Sequence, residues 1–158
     1  IWEKVVSLCD IHLARTVIDE ARFYEDDQGV THPFDLSGHV DSKAIAAFDV
    51  LPSQMDAFFD KFDPVYLEKL DAGEAESLAY LLTASDEMLI CSADAIVFRV
   101  LGNLDRSAQG ISLDEVLQRI GQGRRLRSWF GKPFRDKWTA KGVEERLRGF
   151  GTKAAMDR

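Results

Sequence analysis

Residues 70 to 102, LDAGEAESLAYLLTASDEMLICSADAIVFRVLG, change their hydrophobic period twice within one short span. From Gly73 onward, Ala75, Leu78, Ala79 and Leu82 recur at three- and four-residue spacing, the apolar stripe of an amphipathic helix. Met88 to Cys91 is then a short continuous apolar run after a polar break, which predicts a strand covered on both faces, as in parallel sheets. Ser92-Ala93-Asp94 ends that strand, and Ile96 to Leu101 reads as an apolar helix with Asp94 as its cap and Gly102 as its stop. Helix, strand and helix in this order commit the chain to an α/β arrangement.

In an open parallel sheet, ligands bind beyond the carboxyl ends of the strands, where Ser92 and Asp94 fall. With about 100° of turn per residue, Glu74 borders the stripe of Ala75, Leu78 and Leu82, whereas Glu76 points toward the opposite side. Glu74 and Asp94 are therefore the candidate acids of this stretch. The plainer reading of both is structural, because acids favour a helix N-terminus and Asp94 suits an ordinary cap.

The remaining elements follow the same alternation. Trp2, Val5, Leu8 and Cys9 fall on one helical side of a chain that opens without Met, as though its start lay upstream. His12 to Val17 has strand character and Ile18 to Phe23 that of a helix, so Glu20 also lies near a strand end. Residues 25 to 43 are rich in turn formers and acids and predict a loop or short hairpin. His32, Asp35, His39 and Asp41 could ligate a metal there, but their spacing fits no closed zinc site and scattered polar loop residues explain it better. Ala44 to Val50 predicts another buried strand, followed by a helix whose Met55, Phe58, Phe59 and Phe62 share an apolar face. Asp63-Pro64 starts a further helix, and Ser112 with Glu115 forms a capping box before Val116, Leu117 and Ile120.

With 158 residues and 46% apolar content, the chain has enough material for one well-formed core. No apolar run approaches a membrane span and no leader pattern opens the chain, so a soluble, cytoplasmic protein without a membrane partner is expected. Cys9 and Cys91 lack metal-ligand or redox spacing and read as small core residues. The net charge of −7 is unevenly spread: residues 1 to 118 carry 8 Lys and Arg against 23 Asp and Glu, while residues 119 to 158 carry 12 against 4. An acidic body and a basic tail suggest a polyanion-binding segment, a clasp of tail on body, or a surface for an acidic partner.

In that tail, Arg124, Arg125, Arg127, Lys132, Arg135 and Lys137 interleave with Trp129, Phe130, Phe134 and Trp138. Basic side chains hold phosphates and aromatic faces stack bases, which makes Arg124, Arg125, Arg127, Lys132 and Arg135 candidate nucleic-acid contacts. The same pattern also describes helices that bury Trp and Phe and leave Lys and Arg in water. Lys132 follows a lone glycine outside any phosphate-loop frame, and no zinc-protease motif, dinucleotide fingerprint or nucleophile elbow occurs.

Three pieces together resemble the PIN-domain nucleases: Val17-Ile18-Asp19-Glu20 after a strand resembles the family's V-x-x-E, LDAGEAESLA its helix start, and ICSAD its strand ending in Ser or Thr, any residue, then Asp. The resemblance covers roughly residues 1 to 120. It implies a three-layer α/β/α domain over residues 1–121 with a mainly parallel central sheet, followed by a basic helical extension over 122–158. It further implies metal-site carboxylates at Glu20, Glu74 and Asp94, Mg²⁺ or Mn²⁺ as cofactor, and hydrolysis of RNA. A toxin-type member would also have an antitoxin protein as partner, and a homodimer is compatible with the family. The family's first aspartate ends an N-terminal strand that should precede Ile1, and this sequence shows no such strand. Two alternatives therefore stand beside the ribonuclease: a non-catalytic PIN-like module that binds RNA or protein, and a small metal-binding α/β protein unrelated to nucleases.

Overall fold

The structure is a computed structural model that describes residues 1–26, 28–85 and 87–153. It forms two compact units, Ile1–Val50 and Leu51–Arg158.

The first unit is built on two parallel strands. β1 (Ile11–Ala14) follows helix α1 (Trp2–Leu8) and leads directly into α2 (Arg15–Glu20). Antiparallel strands β2 (Phe23–Glu25) and β3 (Thr31–Pro33) form a hairpin, α3 (Ser37–Asp41) follows, and β4 (Ile45–Phe48) returns beside β1. Ile11 faces Ile45 and Ala14 faces Phe48, a parallel register that needs the long crossover these intervening elements supply. Ala14, Leu36 and Ile45 are buried. Trp2 stands edge-on to Phe34 at 5.5 Å and donates from Nε1 to His39 Nε2 at 3.1 Å, which ties α1 and α3 together. The hairpin expected within 25–43 starts slightly earlier, at Phe23. The first strand is shorter than expected, because Thr16 and Val17 enter α2 once Ala14 has turned inward.

The second unit opens with α4 (Pro52–Phe59) and the single turn α5 (Pro64–Leu67), whose cap Asp63 accepts from the Tyr66 amide at 2.8 Å. Next come α6 (Ala72–Thr83), β5 (Ile90–Cys91), α7 (Ala95–Asn103), β6 (Gly110–Ile111), α8 (Leu113–Arg119) and α9 (Lys132–Leu147). β5 and β6 pair in parallel, Ile90 beside Gly110 and Cys91 beside Ile111. In the core, Phe58, Phe62 and Tyr66 form a ladder with centroids 5.3 and 5.5 Å apart, and Leu78, Val97, Phe98, Val100, Leu101 and Leu117 are buried as well. Ile96, Val97, Phe98, Val100, Leu101 and Gly102 are all buried, so α7 is covered nearly all round, as a helix without a polar face must be.

Four expectations change here. Helix accounts for 54% and strand for 13%, and the described strands form separate two-stranded pairs, so the structure is a mixed α/β fold with short parallel sheets. β5 is only two residues long, with Ile90 half-buried and Cys91 exposed, so it is not the strand covered on both faces that Met88 to Cys91 suggested. The core that such a strand would have supplied comes instead from α7 packing on α9. Gly102 does not stop α7; it is where α9 crosses. A Cβ built on Gly102 would stand 2.2 Å from the Thr139 carbonyl oxygen, and one on Gly142 would stand 2.0 Å from that of Arg99. The two backbones touch, as only a glycine at each position allows. The basic segment expected as an appendage from residue 122 thus contributes α9 to the same compact unit as residues 51–121.

Gly142→Ala is expected to force the helices apart and to cost about 3 kcal/mol or more. Urea unfolding, with Gly121→Ala as a comparison that meets no neighbouring atom but must hold a positive φ, measures it.

Candidate functional site

Helix α6 begins with a reciprocal cap. Asp71 Oδ1 accepts from the Glu74 amide at 2.7 Å, and Glu74 Oε2 accepts from the Asp71 amide at 3.2 Å. This capping box follows from the sequence Asp71-Ala72-Gly73-Glu74 and fixes both acids in the first turn. Helix α7 begins with a second acid: Asp94 Oδ1 accepts from the Ile96 amide at 3.2 Å, and the Asp94 amide donates to Ser92 Oγ at 2.9 Å. The structural role foreseen for Asp94 is therefore real.

The two helix starts meet at these carboxyls. The Glu74 carboxyl is pushed up to about 7, first by burial, against the downward pull of the Asp71 amide. The charges on Asp94 and Asp71 raise it further, as does a hydrogen bond with the Asp94 carboxyl. Burial and the neighbouring acids thus keep the Glu74 carboxyl protonated to near neutrality. Asp71 was not among the acids singled out, although its place three residues before Glu74 marked it as their neighbour.

Glu20 ends α2 in the first unit, where it is exposed. Glu74 and Asp94 both lie in the second unit, with Asp71 beside Glu74. Among the described residues no three His, Cys, Asp or Glu side chains form a group that could hold a metal. The loop residues of the first unit are used separately. His32 Nε2 lies 2.8 Å from Asp26 Oδ2, Asp35 Oδ1 accepts from the Ser37 amide, and His39 accepts from Trp2. Neither Cys9 nor Cys91 forms a disulfide.

The basic residues divide into two sets. Arg124, Arg125 and Arg127 are exposed between α8 and α9, with the Arg127 guanidinium 5.5 Å from the Trp129 ring centre. Lys132 is also exposed but pairs with Asp136 one turn along α9. Arg135 is committed to the fold: its side chain is only 16% exposed and donates to the Gly110 carbonyl, to Glu115 Oε1 at 3.1 Å and to Asp136 Oδ1 at 3.0 Å, pinning α9 to β6 and α8. The aromatics follow the core reading in part, Phe134 meeting Phe98 edge-on at 6.4 Å while Trp129 stays well exposed.

The raised Glu74 value carries a pH consequence. The folded state holds a proton that the unfolded chain releases at the ordinary value of 4.5, so its stabilising effect is complete below about 4.5 and fades as pH rises through about 7. Solvent screening of this half-buried group reduces the effect to about 1 kcal/mol. In urea unfolding with chelator present, the wild type should lose about that much from pH 5 to pH 8 relative to Glu74→Gln, which keeps the cap acceptor without the charge. No family model, curated protein or solved structure matches the chain.

Proposed function

We propose that the chain is a divalent-metal-dependent ribonuclease of PIN-like type that hydrolyses RNA phosphodiester bonds. The observation that carries this reading is the Glu74–Asp94 carboxyl pair at the meeting point of two helix starts. Neighbouring carboxyls that raise one another's proton affinity are a poor arrangement for stability alone and a suitable one for a cation. In this reading the domain is a three-layer PIN-like arrangement, the protein acts in the cytoplasm, and its partners are RNA and, as the toxin of a toxin–antitoxin pair, an antitoxin protein.

The donor set fits Mg²⁺ or Mn²⁺. Both are hard cations that take oxygen ligands, and Mg²⁺ is commonly held by one or two carboxylates together with waters and substrate phosphate. Glu74 accepts from the Asp71 amide and Asp94 from the Ile96 amide, and these two carboxylates would hold the ion in place of the contact between them. Asp71 holds the α6 start in place and adds negative charge beside Glu74. Glu20 is the third carboxylate that the resemblance assigns. When bound, the cation would activate water and neutralise charge developing on the phosphodiester. Glu74 and Asp94 would hold the metal, and because the Glu74 carboxyl must lose its proton to do so, cation uptake would weaken below about pH 7. Arg124, Arg125 and Arg127, exposed in a chain of net charge −7, supply the phosphate-backbone contacts.

A second reading is favoured by one observation: among the described residues no third side chain completes a metal-holding group. It is the non-catalytic PIN-like module that binds RNA or protein through an incomplete acidic site.

Cleavage of a mixed RNA pool in Mn²⁺ separates the two. Asp94→Asn retains a good helix cap and should therefore fold, yet it is expected to lower cleavage on the order of a hundredfold. Cleavage unchanged by Asp94→Asn removes the assigned role, and RNA binding without cleavage in the wild type selects the second reading.

A further inference from the structure

A cleft of about 260 Å³ opens in the second unit between α5, α7 and α9, away from every residue of the acid pair. Its walls carry four cations, Lys69, Arg99, Lys141 and Arg148, against two acids, Asp63 and Glu145. In a chain with 27 acids to 20 bases, that local excess runs against the overall charge. Glu144 is shared between Lys141 at 3.0 Å and Arg148 at 2.7 Å, one carboxylate for two cations. Lys69 has no acidic partner among the described residues.

The cleft is firmly built. Arg99 grips Glu145 with two bonds, Nε to Oε2 at 3.2 Å and Nη2 to Oε1 at 2.6 Å, and the side chains are 17% and 12% exposed. Tyr66 donates from its hydroxyl to Glu145 Oε2 at 3.1 Å, and the Arg99 guanidinium lies 5.4 Å from the Tyr66 ring centre. Burial first, then the Glu145 charge, pushes the Tyr66 hydroxyl far up, so it remains a neutral donor.

The turn Gly149-Phe150-Gly151 contributes Phe150 and Gly151 to the cleft wall. Hydrogen bonds hold this turn: the Phe150 amide donates to the Glu145 carbonyl at 2.8 Å, Asn103 Nδ2 donates to the Phe150 carbonyl at 2.9 Å, and the Asp63 amide donates to the Gly151 carbonyl at 3.1 Å. Gly151 has a φ of +84°, and a Cβ there would come within 2.6 Å of the Tyr66 ring, so only glycine closes this turn. Yet the Phe150 ring that this turn presents is 63% exposed. A rigid backbone holding an aromatic face to water beside unbalanced cations has the parts needed to stack a base and hold a phosphate.

From this juxtaposition we infer that the cleft binds a phosphorylated nucleoside, the phosphate held by Lys69, Lys141 and Arg148 and the base stacked on Phe150. The ligand chemistry has two sources, a free mononucleotide or the 5′-phosphorylated end of a nucleic-acid strand. Because the cleft and the acid pair share no residue, binding here stands or falls independently of the nuclease reading.

The test is calorimetric titration of the full chain at low salt with chelator present, which silences any metal chemistry. The probes are AMP, adenosine, and a short oligoribonucleotide with and without a 5′-phosphate. The phosphorylated probes are expected to bind at least about tenfold more tightly than their unphosphorylated forms. Tighter binding of AMP than of the phosphorylated oligonucleotide assigns the free nucleotide, and the reverse order assigns the strand end. Lys69→Ala and Phe150→Ala, both at exposed side chains, should each weaken binding about tenfold, while Lys4→Ala in the first unit leaves it unchanged. Equal binding of AMP and adenosine, no saturable binding of either phosphorylated probe, indifference to both cleft substitutions, or preference for an acidic peptide would overturn the inference.

Discussion

The contact on which the second unit depends is the bare crossing of two backbones at Gly102 and Gly142. Helix α7 has no polar face, so it must be wrapped, and α9 wraps it by lying against its main chain. The fit allows no side chain at the crossing, and two polar anchors sit to either side of Gly142 along α9. Arg135 reaches Gly110, Glu115 and Asp136 before the crossing, and Glu145 receives Arg99 and Tyr66 after it. Dispersion contacts at the crossing are individually small, but they accumulate along the helix pair and fix its register.

That register organises both candidate sites. The N-terminus of α7 presents Asp94 to Glu74, while the C-terminal half of the same helix presents Arg99 to Glu145 and Asn103 to the Phe150 turn. One helix thus carries an acidic end and a basic flank, and each is stiffened by groups that also hold the fold together. The caps Asp71 and Asp94 illustrate the economy of this arrangement. Each closes a helix through one oxygen or amide and still contributes charge to the shared acid cluster.

Much of the architecture was legible where the signal was local. The capping boxes at Asp71-x-x-Glu74 and Ser112-x-x-Glu115, the Asp94 cap, the Pro64 start and the hairpin after Arg22 all follow from side chains bonding to nearby backbone, and such bonds lie within a few residues. Glu74 and Asp94 were singled out separately, Glu74 by its place beside an apolar helical stripe and Asp94 by its strand-end position, and the electrostatic influences on Glu74 include the Asp94 charge. What misled was the apolar run Met88 to Cys91, since a short apolar segment has no period to distinguish a buried strand from a half-exposed one. Gly102 misled for a related reason. A glycine near a helix end reads as a stop, and only the partner helix, supplied by residues far along the chain, reveals it as a contact. Arg135 shows the same limit, because a basic residue in a basic segment gives no sign that Glu115 and a strand carbonyl await it.

The backbone crossing also bears on how the protein is made. Gly142 is synthesised well after α7, so a nascent chain emerging from the ribosome carries Val97, Phe98, Val100 and Leu101 on a helix whose cover does not yet exist. Until α9 arrives, that oily flank is open to chaperones or to neighbouring chains, and a transcript truncated ahead of Lys132 would yield a product that never hides it.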